Sequence, residues 1–404
     1  MKLTKSTIRP LILSLATASP AVLAGDSFYE AFSEGKVKFD SRLRYESVEQ
    51  DGKSDNASGL TIRTRLGYET AEFYTLKGYV EMLDNRVVGG IDDFAPVRPG
   101  ADYPVIADPA VTVLNQGYLQ STPIEGMNIR GGRQRIIIDN ARFVGNVGWR
   151  QNEQTFDSFR YQYDVSGFEM DLAYIGRVKG IVPTFDAKVD DIIANVAYNT
   201  GVGKITAYYY GLNHSDRGND IRFDMNTYGV RWNGKADLGN KWKLLYSAEY
   251  AQQSVSLWKG QKADLDASYL VGEFGFGWDA YSLLAGYEVL GSDDGNYGFQ
   301  TPLATKHKFN GWADVFLVTP AQGLSDTYLK AVAKVAGFKF VAVYHQFNST
   351  EGDVNYGNEV DLLAAKSFGK RYTVGLKYAN FSASDLPDTY ASRSKYWVWG
   401  EIKF

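Results

Sequence analysis

Alternation of apolar and polar residues with a period of two runs through most of the chain. From Lys36 to Glu46 one parity reads Val37, Phe39, Ser41, Leu43, Tyr45, and the other Lys36, Lys38, Asp40, Arg42, Arg44, Glu46. The next segment sets Leu60, Ile62, Thr64, Leu66 and Tyr68 against Thr61, Arg63, Arg65, Gly67 and Glu69. Phe168, Met170, Leu172 and Tyr174 oppose Glu169, Asp171 and Ala173. Successive side chains on a strand point to opposite faces, so each segment has one apolar and one charged face. About eighteen such segments of roughly 9–14 residues follow one another, the first near 36–50 and the last near 390–404. That length suits a tilted strand crossing hydrocarbon. Connections alternate between short turns, as near 165–167 and 334–336, and long loops near 87–112, 138–155 and 291–324. A soluble sandwich would alternate too, but strand number, strand length and loop asymmetry predict an all-β fold. The expectation is a transmembrane antiparallel β-barrel of about 18 strands, with short periplasmic turns and long extracellular loops. An even strand count puts both termini on the periplasmic side.

Composition agrees: 41 Gly, 28 Tyr and 22 Phe favour strands and turns. Residues 1–24 read as a cleavable signal peptide. Lys2, Lys5 and Arg9 precede the short apolar run Leu11–Ala16, and Val22-Leu23-Ala24 places cleavage after Ala24. That run is too short to anchor the chain in a bilayer, and no later stretch of about 18 apolar residues occurs. The predicted organisation is therefore signal peptide 1–24 and outer-membrane barrel 25–404, with 138–155 and 291–324 as candidate inward-folding loops. The chain has no Cys, which excludes disulfides. With 43 Lys plus Arg against 47 Asp plus Glu, bulk charge gives no reason to expect nucleic acid as a partner. No cofactor or metal is expected, since the three His are scattered and Asp51–Asn56 and Ser292–Asn296 fit turns better than Ca²⁺ loops. No enzyme is expected either: His214-Ser215 and His345 lack the partners of an acyl-transfer site.

The inside face carries the candidate chemistry. Arg42 and Arg44 share the lumen parity with Arg63 and Arg65 on the next segment, which predicts a basic ladder. Two readings are open. The ladder faces a transported anion, or Asp40, Glu46, Glu69, Glu81 and Glu169 neutralise it in interior networks. The segment 131–157 adds Arg133, Arg135, Arg142 and Arg150, and an inward fold would set them opposite Asp139 as a charged eyelet. Lys306, His307, Lys308 and Trp312 make 299–319 the second inward candidate, a basic site beside an aromatic that suits a sugar acid or aromatic acid. Tyr45, Tyr68, Tyr163, Trp232, Trp242, Tyr378, Trp397 and Trp399 are the expected interfacial girdle in contact with outer-membrane lipid. Phe404, ending an alternating strand, resembles the signal read by the barrel-assembly machinery.

The stretches KFDSRLRYESVEQDG, GLTIRTRLGYET, VIADPAVTVLNQGYLQ, GGRQRIIIDNARFVGNVGWRQNEQTFD and FQTPLATKHKFNGWADVF resemble the alginate-export-type family of outer-membrane porins. The resemblance implies an eighteen-stranded, monomeric barrel in the bacterial outer membrane with an arginine-rich pore. Arg42, Arg44, Arg63, Arg65, Arg133 and Arg135 occupy the matching words. The expected function is a passive channel for small hydrophilic solutes that favours small or polymeric anions. The alternatives are a dedicated exporter of an anionic polysaccharide such as alginate, and a plugged structural or adhesive barrel.

Overall fold

The computed structural model describes residues 28–214, 222–386 and 388–404, so the predicted signal peptide lies outside the described residues. A short helix, α1 (Phe28–Ser33), precedes the first strand. The strands are β1 (Lys36–Gln50), β2 (Ala57–Glu69), β3 (Leu76–Asp93), β4 (Val111–Ser121), β5 (Met127–Gln134) and β6 (Thr155–Val165). Next come β7 (Phe168–Lys179), β8 (Ala187–Thr200), β9 (Gly203–Asn213), β10 (Phe223–Gly239), β11 (Trp242–Trp258) and β12 (Gln261–Trp278). After β13 (Tyr281–Leu290), the small hairpin β14 (Ser292–Asp293) and β15 (Tyr297–Gly298) lies in a long connection. The series ends with β16 (Leu324–Val335), β17 (Phe338–Asn348), β18 (Asn355–Phe368), β19 (Tyr372–Ala383) and β20 (Arg393–Lys403).

All strands but β14 and β15 form one 18-stranded sheet in which sequence neighbours pair antiparallel and β1 also pairs with β20. Closure leaves no unpaired edge, the condition for a sheet in lipid. At the seam the Phe39 and Phe404 main chains exchange hydrogen bonds of 2.8 and 2.9 Å, and their rings stack 5.0 Å apart. The predicted strands are recovered with small boundary shifts. Among the largest is that of β3, expected to stop near residue 86, which continues to Asp93 past a register shift against β2. Tight turns mark one end of the barrel. Ser166-Gly167 and Ala336-Gly337 have positive φ at both positions, the backbone that two-residue hairpins need.

The pleat is inside-out relative to a soluble protein. Leu43, Leu66, Val80, Leu119, Phe159 and Leu172 are exposed on the outer wall, while Arg42, Arg44, Arg63, Glu46 and Glu81 are buried in the interior. Trp232, Trp242, Trp278 and Tyr281 stand on the outer face at the turn end. Trp397 does not belong with them: it is only 1% exposed and points inward, as its buried neighbours of like parity on β20 require. Trp399 faces inward too and meets the Trp149 ring at 5.3 Å.

Three loops enter the barrel from the opposite end. Residues 135–154 and 291–323 pack on each other, with Val144 bridged to Leu303 and the Gln154 amide donating to the Leu303 carbonyl at 3.0 Å. Phe143 lies at their centre among Tyr208, Tyr210, Tyr269 and Phe299, ring centroids 5.3–6.0 Å away. The third loop, 94–110, seats Phe94 and Ile106 against Val48 and Ala57. The alternation did not reveal its inward course, because its contacts come from a few scattered side chains rather than a period.

Candidate functional site: a charged three-loop constriction

The register of β1 on β2 sets Arg42 opposite Arg63 and Asp40 opposite Arg65, so the arginine ladder forms. Like charges directly opposite repel, and the surroundings answer that repulsion. Asp40 accepts from Arg63 and lies 3.0 Å from Arg65. Arg44 pairs with Asp108 and, at 3.4 Å, with Glu46. Arg42 binds no carboxylate directly; its guanidinium donates to the Trp149 and Arg150 carbonyls at 2.8 and 2.7 Å and to Gln151 at 2.9 Å. The ladder is thus the wall on which loop 135–154 is fastened. Glu69 lies four residues beyond Arg65 towards the turns, at the mouth of the barrel, and pairs with Lys38.

Loop 135–154 contributes its own cations to this knot. Arg135 reaches Glu153 at 2.7 Å and Glu81 at 2.6 Å, and Glu153 also accepts from Arg65 at 3.2 Å, Asn115 at 2.6 Å and Asn146 at 2.7 Å. Burial alone would raise the Glu153 pKa, but Arg135 and Arg65 hold it down to about 2. Arg150 spans three carboxylates: Glu46 at 3.0 Å, Asp108 at 3.4 Å and Asp314 at 3.0 Å. Arg142 crosses to Glu288 at 2.8 Å and Asn310 at 3.0 Å.

Asp139 does not oppose these arginines. Positive φ at Asp139 and Ala141 turns the chain so that its carboxylate meets Asn195 at 2.9 Å and Lys204 at 3.8 Å. The opposing anions are Glu153, Glu288, Asp108 and Asp314. Glu153, Asp314 and Asp108 all stood inside the quoted words, but none of them was singled out there.

Arg133 is the other displaced residue. It pairs across the strands with Gly117 and Asp157 and shares the parity of Gly131, whose partner Phe159 is exposed on the outer wall. Its guanidinium grips Asp157 at 2.6 and 2.9 Å on the outer wall, outside the lumen.

Loop 291–323 brings His307, which sits between two charges. Lys377 contacts Nε2 at 2.6 Å, and Asp314 contacts Nδ1 at 2.7 Å. An ammonium only donates, so Nε2 accepts and Nδ1 carries the proton that Asp314 receives. The ring is therefore neutral, in keeping with burial pushing its pKa to about 3 despite Asp314. Lys377 lies 3.8 Å from the Trp312 ring centroid and 4.4 Å from that of Trp149, and Trp149 stacks flat on His307. Asp314 also accepts from Lys395 at 2.8 Å.

Two chambers flank the knot. On the turn side, about 340 Å³ is lined by Lys38, Arg65, Arg130 and Arg135 against Asp40 and Glu81, with Tyr79 and Tyr118. On the loop side, about 450 Å³ is lined by Arg150, Lys306, Arg393 and Lys395 against Asp314, beside Phe185, Leu317 and Val318. Cations outnumber carboxylates in both. Arg130 meets Gln120 at 2.9 Å and the Tyr118 ring at 5.1 Å, and Arg393 meets the Ala391 carbonyl at 3.5 Å, neither of them a carboxylate.

Solved outer-membrane channels share this architecture. OpdL of Pseudomonas aeruginosa aligns with TM-score 0.69 at 12% identity over 92% of this chain and 99% of that one. OccAB4 of Acinetobacter baumannii gives 0.69 at 11% over 92% and 98%. OccK2 (OpdF) of P. aeruginosa, solved in complex with glucuronate, gives 0.67 at 12% over 93% and 98%. At such identities the likeness concerns the fold. No curated protein matches the sequence significantly. The sequence profile described as "Alginate export" matches residues 41–289, more than half of the chain and most of the charged constriction. The chain belongs to the alginate-export family of outer-membrane β-barrels.

Proposed function

We propose that the barrel is a passive channel for small hydrophilic solutes and that it favours anions. The observation that carries this reading is the excess of cations in both chambers flanking the three-loop knot. Fixed positive charge in a cleft with low-dielectric walls concentrates anions and speeds their entry. Arg130 presents a guanidinium edge suited to a carboxylate, and Tyr79 and Tyr118 offer flat faces beside it. The glucuronate complex of OccK2 supports a sugar acid as the type of solute. The family description also supports a uronate, and the packing of Phe143 and Leu303 across the lumen suits monomers better than a polymer.

One observation favours a second reading, a plugged barrel: three loops meet inside the lumen, and their charges are largely paired. Single-channel conductance with reversal potential under a salt gradient separates the two. Open, anion-selective current that Arg130→Gln weakens supports the proposal. Silence from folded protein favours the plugged barrel, and cation selectivity overturns the anion preference.

A further inference from the structure

The misplaced Arg133 leads to a feature of the outer wall. One cross-strand row near the long-loop end of β5, β6, β7 and β8 reads Arg133, Asp157, Arg177, Lys188. Towards the turns, two residues along β5 and β6, three along β7 across a bulge and four along β8, the outer row is Gly131, Phe159, Tyr174, Ile192. Phe159, Tyr174 and Ile192 are among the exposed apolar side chains of the wall. The charged row therefore stands roughly 7–13 Å above hydrocarbon-facing residues, at headgroup level. In the orientation with long loops outside the cell, that headgroup layer is the outer leaflet.

Cations in and beside the row outnumber the carboxylates, although Asp190, the outer-face residue between Lys188 and Ile192, accepts from the Tyr174 hydroxyl at 2.7 Å. Asp157 accepts from Nε and Nη2 of Arg133, and Arg177 reaches it only at 3.6 Å. Arg177 stands directly opposite Lys188, a like-charge pair that costs stability unless an anion lies between them. Lys179, next along β7, adds a fourth cation, engaged by Asp186. Elsewhere near the loop end, the outward cations of the described strands are matched or missing. Arg86 is paired with Asp84, Lys262 shares its face with Asp264 and Asp266, and β17–β20 present Gln346, Asn358, Asn380 and Ser394.

We propose that Arg177 and Lys188, flanked by Arg133 and Lys179, bind a phosphate of a phosphorylated glycolipid in the outer leaflet. A phosphate supplies the missing counter-charge, two cations can grip its oxygens, and the acyl chains would lie on Phe159, Tyr174 and Ile192. The solute path is not involved, so this site stands apart from the channel proposal.

The test is native mass spectrometry of the full chain in detergent, titrated with bisphosphorylated lipid A. Heat-modifiability on gels verifies that each variant is folded. The Arg177→Gln/Lys188→Gln variant should bind about thirtyfold more weakly, the loss expected for two phosphate-facing cations. Dephosphorylated lipid A should bind the native protein equally poorly. Lys188→Glu should also lose the lipid, while raising stability in lipid-free detergent by pairing with Arg177. Equal binding by native and double-variant protein, or of both lipid forms, overturns the proposal. Inorganic phosphate displacing the lipid at comparable concentration overturns the lipid as occupant. So does a lipid-free dimer that the double variant dissolves, since the patch would then be a protein interface.

Discussion

Replacing Glu153 by Gln should loosen loop 135–154 without unfolding the barrel. Glu153 receives Arg135, Arg65, Asn115 and Asn146, so one side chain ties the loop to β2 and β4 and to the loop's own start. Its carboxyl sits near 2 against an ordinary 4.5. At about 1.4 kcal/mol per tenfold in acidity, this corresponds to ~3 kcal/mol favouring the ionised form in the folded loop. The neutral amide forfeits that amount, although Arg135 keeps Glu81 and Arg65 keeps Asp40. The opening equilibrium of the loop should then rise about a hundredfold at pH 7. Hydrogen exchange of amides 146–154 reads this directly, with the strand amides as internal reference. The sign with pH follows from a depressed acid: the contribution is complete above about 4.5 and fades as pH falls towards 2. Native and variant loops should therefore converge in exchange near pH 2. Native-like protection of the Gln variant at pH 7 would refute the argument that Glu153 is the tie.

Other expectations concern the same constriction. Arg150→Met removes the cation that Glu46, Asp108 and Asp314 share, leaving them Arg44 and Lys395, and should cost about 3 kcal/mol, read as a lower heat-modifiability midpoint. Trp397→Ala empties a fully buried site against Trp149 and should cost a similar 3–5 kcal/mol, whereas Trp232→Ala on the outer wall should cost far less. His307 is held neutral, its pKa about 3 against 6.5, so its contribution is complete above 6.5 and is lost as pH falls towards 3. Current fluctuations should accordingly grow on acidification through that window, and His307→Gln should flatten the pH dependence there. Arg130→Gln should shift the reversal potential towards cation selectivity while leaving the unfolding temperature nearly unchanged, since no buried ion pair is broken.

The barrel was legible because lipid imposes one rule on every strand, and the rule repeats. Val37 to Tyr45 and Leu60 to Tyr68 had to face outward together, so their partners Arg42, Arg44, Arg63 and Arg65 had to share the lumen side. Where that rule lapsed, the sequence reading lost its footing. At Arg133 a positive-φ residue, Gly132, and the chain's turn inward at Arg135 broke the count, so Arg133 and Arg135 were placed together but lie on opposite faces. Trp397 was taken for a girdle residue by its type, although its parity already pointed inward. Partners inside the lumen were least legible. Asp108 meets Arg44 and Arg150, and Arg150 meets Asp314 across more than 160 positions of chain, distances that no local pattern encodes.

The seam between β1 and β20 has a kinetic consequence. Every other pairing in the barrel joins strands adjacent in sequence, while here Asp40 meets Lys403. Hairpins can form early and add one at a time, since each closes a far shorter span of chain than the seam does. The seam must wait until both ends of the sheet exist, and it carries the largest entropic penalty of any contact. Until then the growing sheet exposes two long rows of unsatisfied amides and carbonyls, one on β1 and one on its latest strand. The vulnerable stage of this protein's life is thus the interval before the Phe39 and Phe404 main chains join. A variant weakened only at that join should assemble slowly, yet unfold at nearly the native rate once the final contacts are shared around the ring.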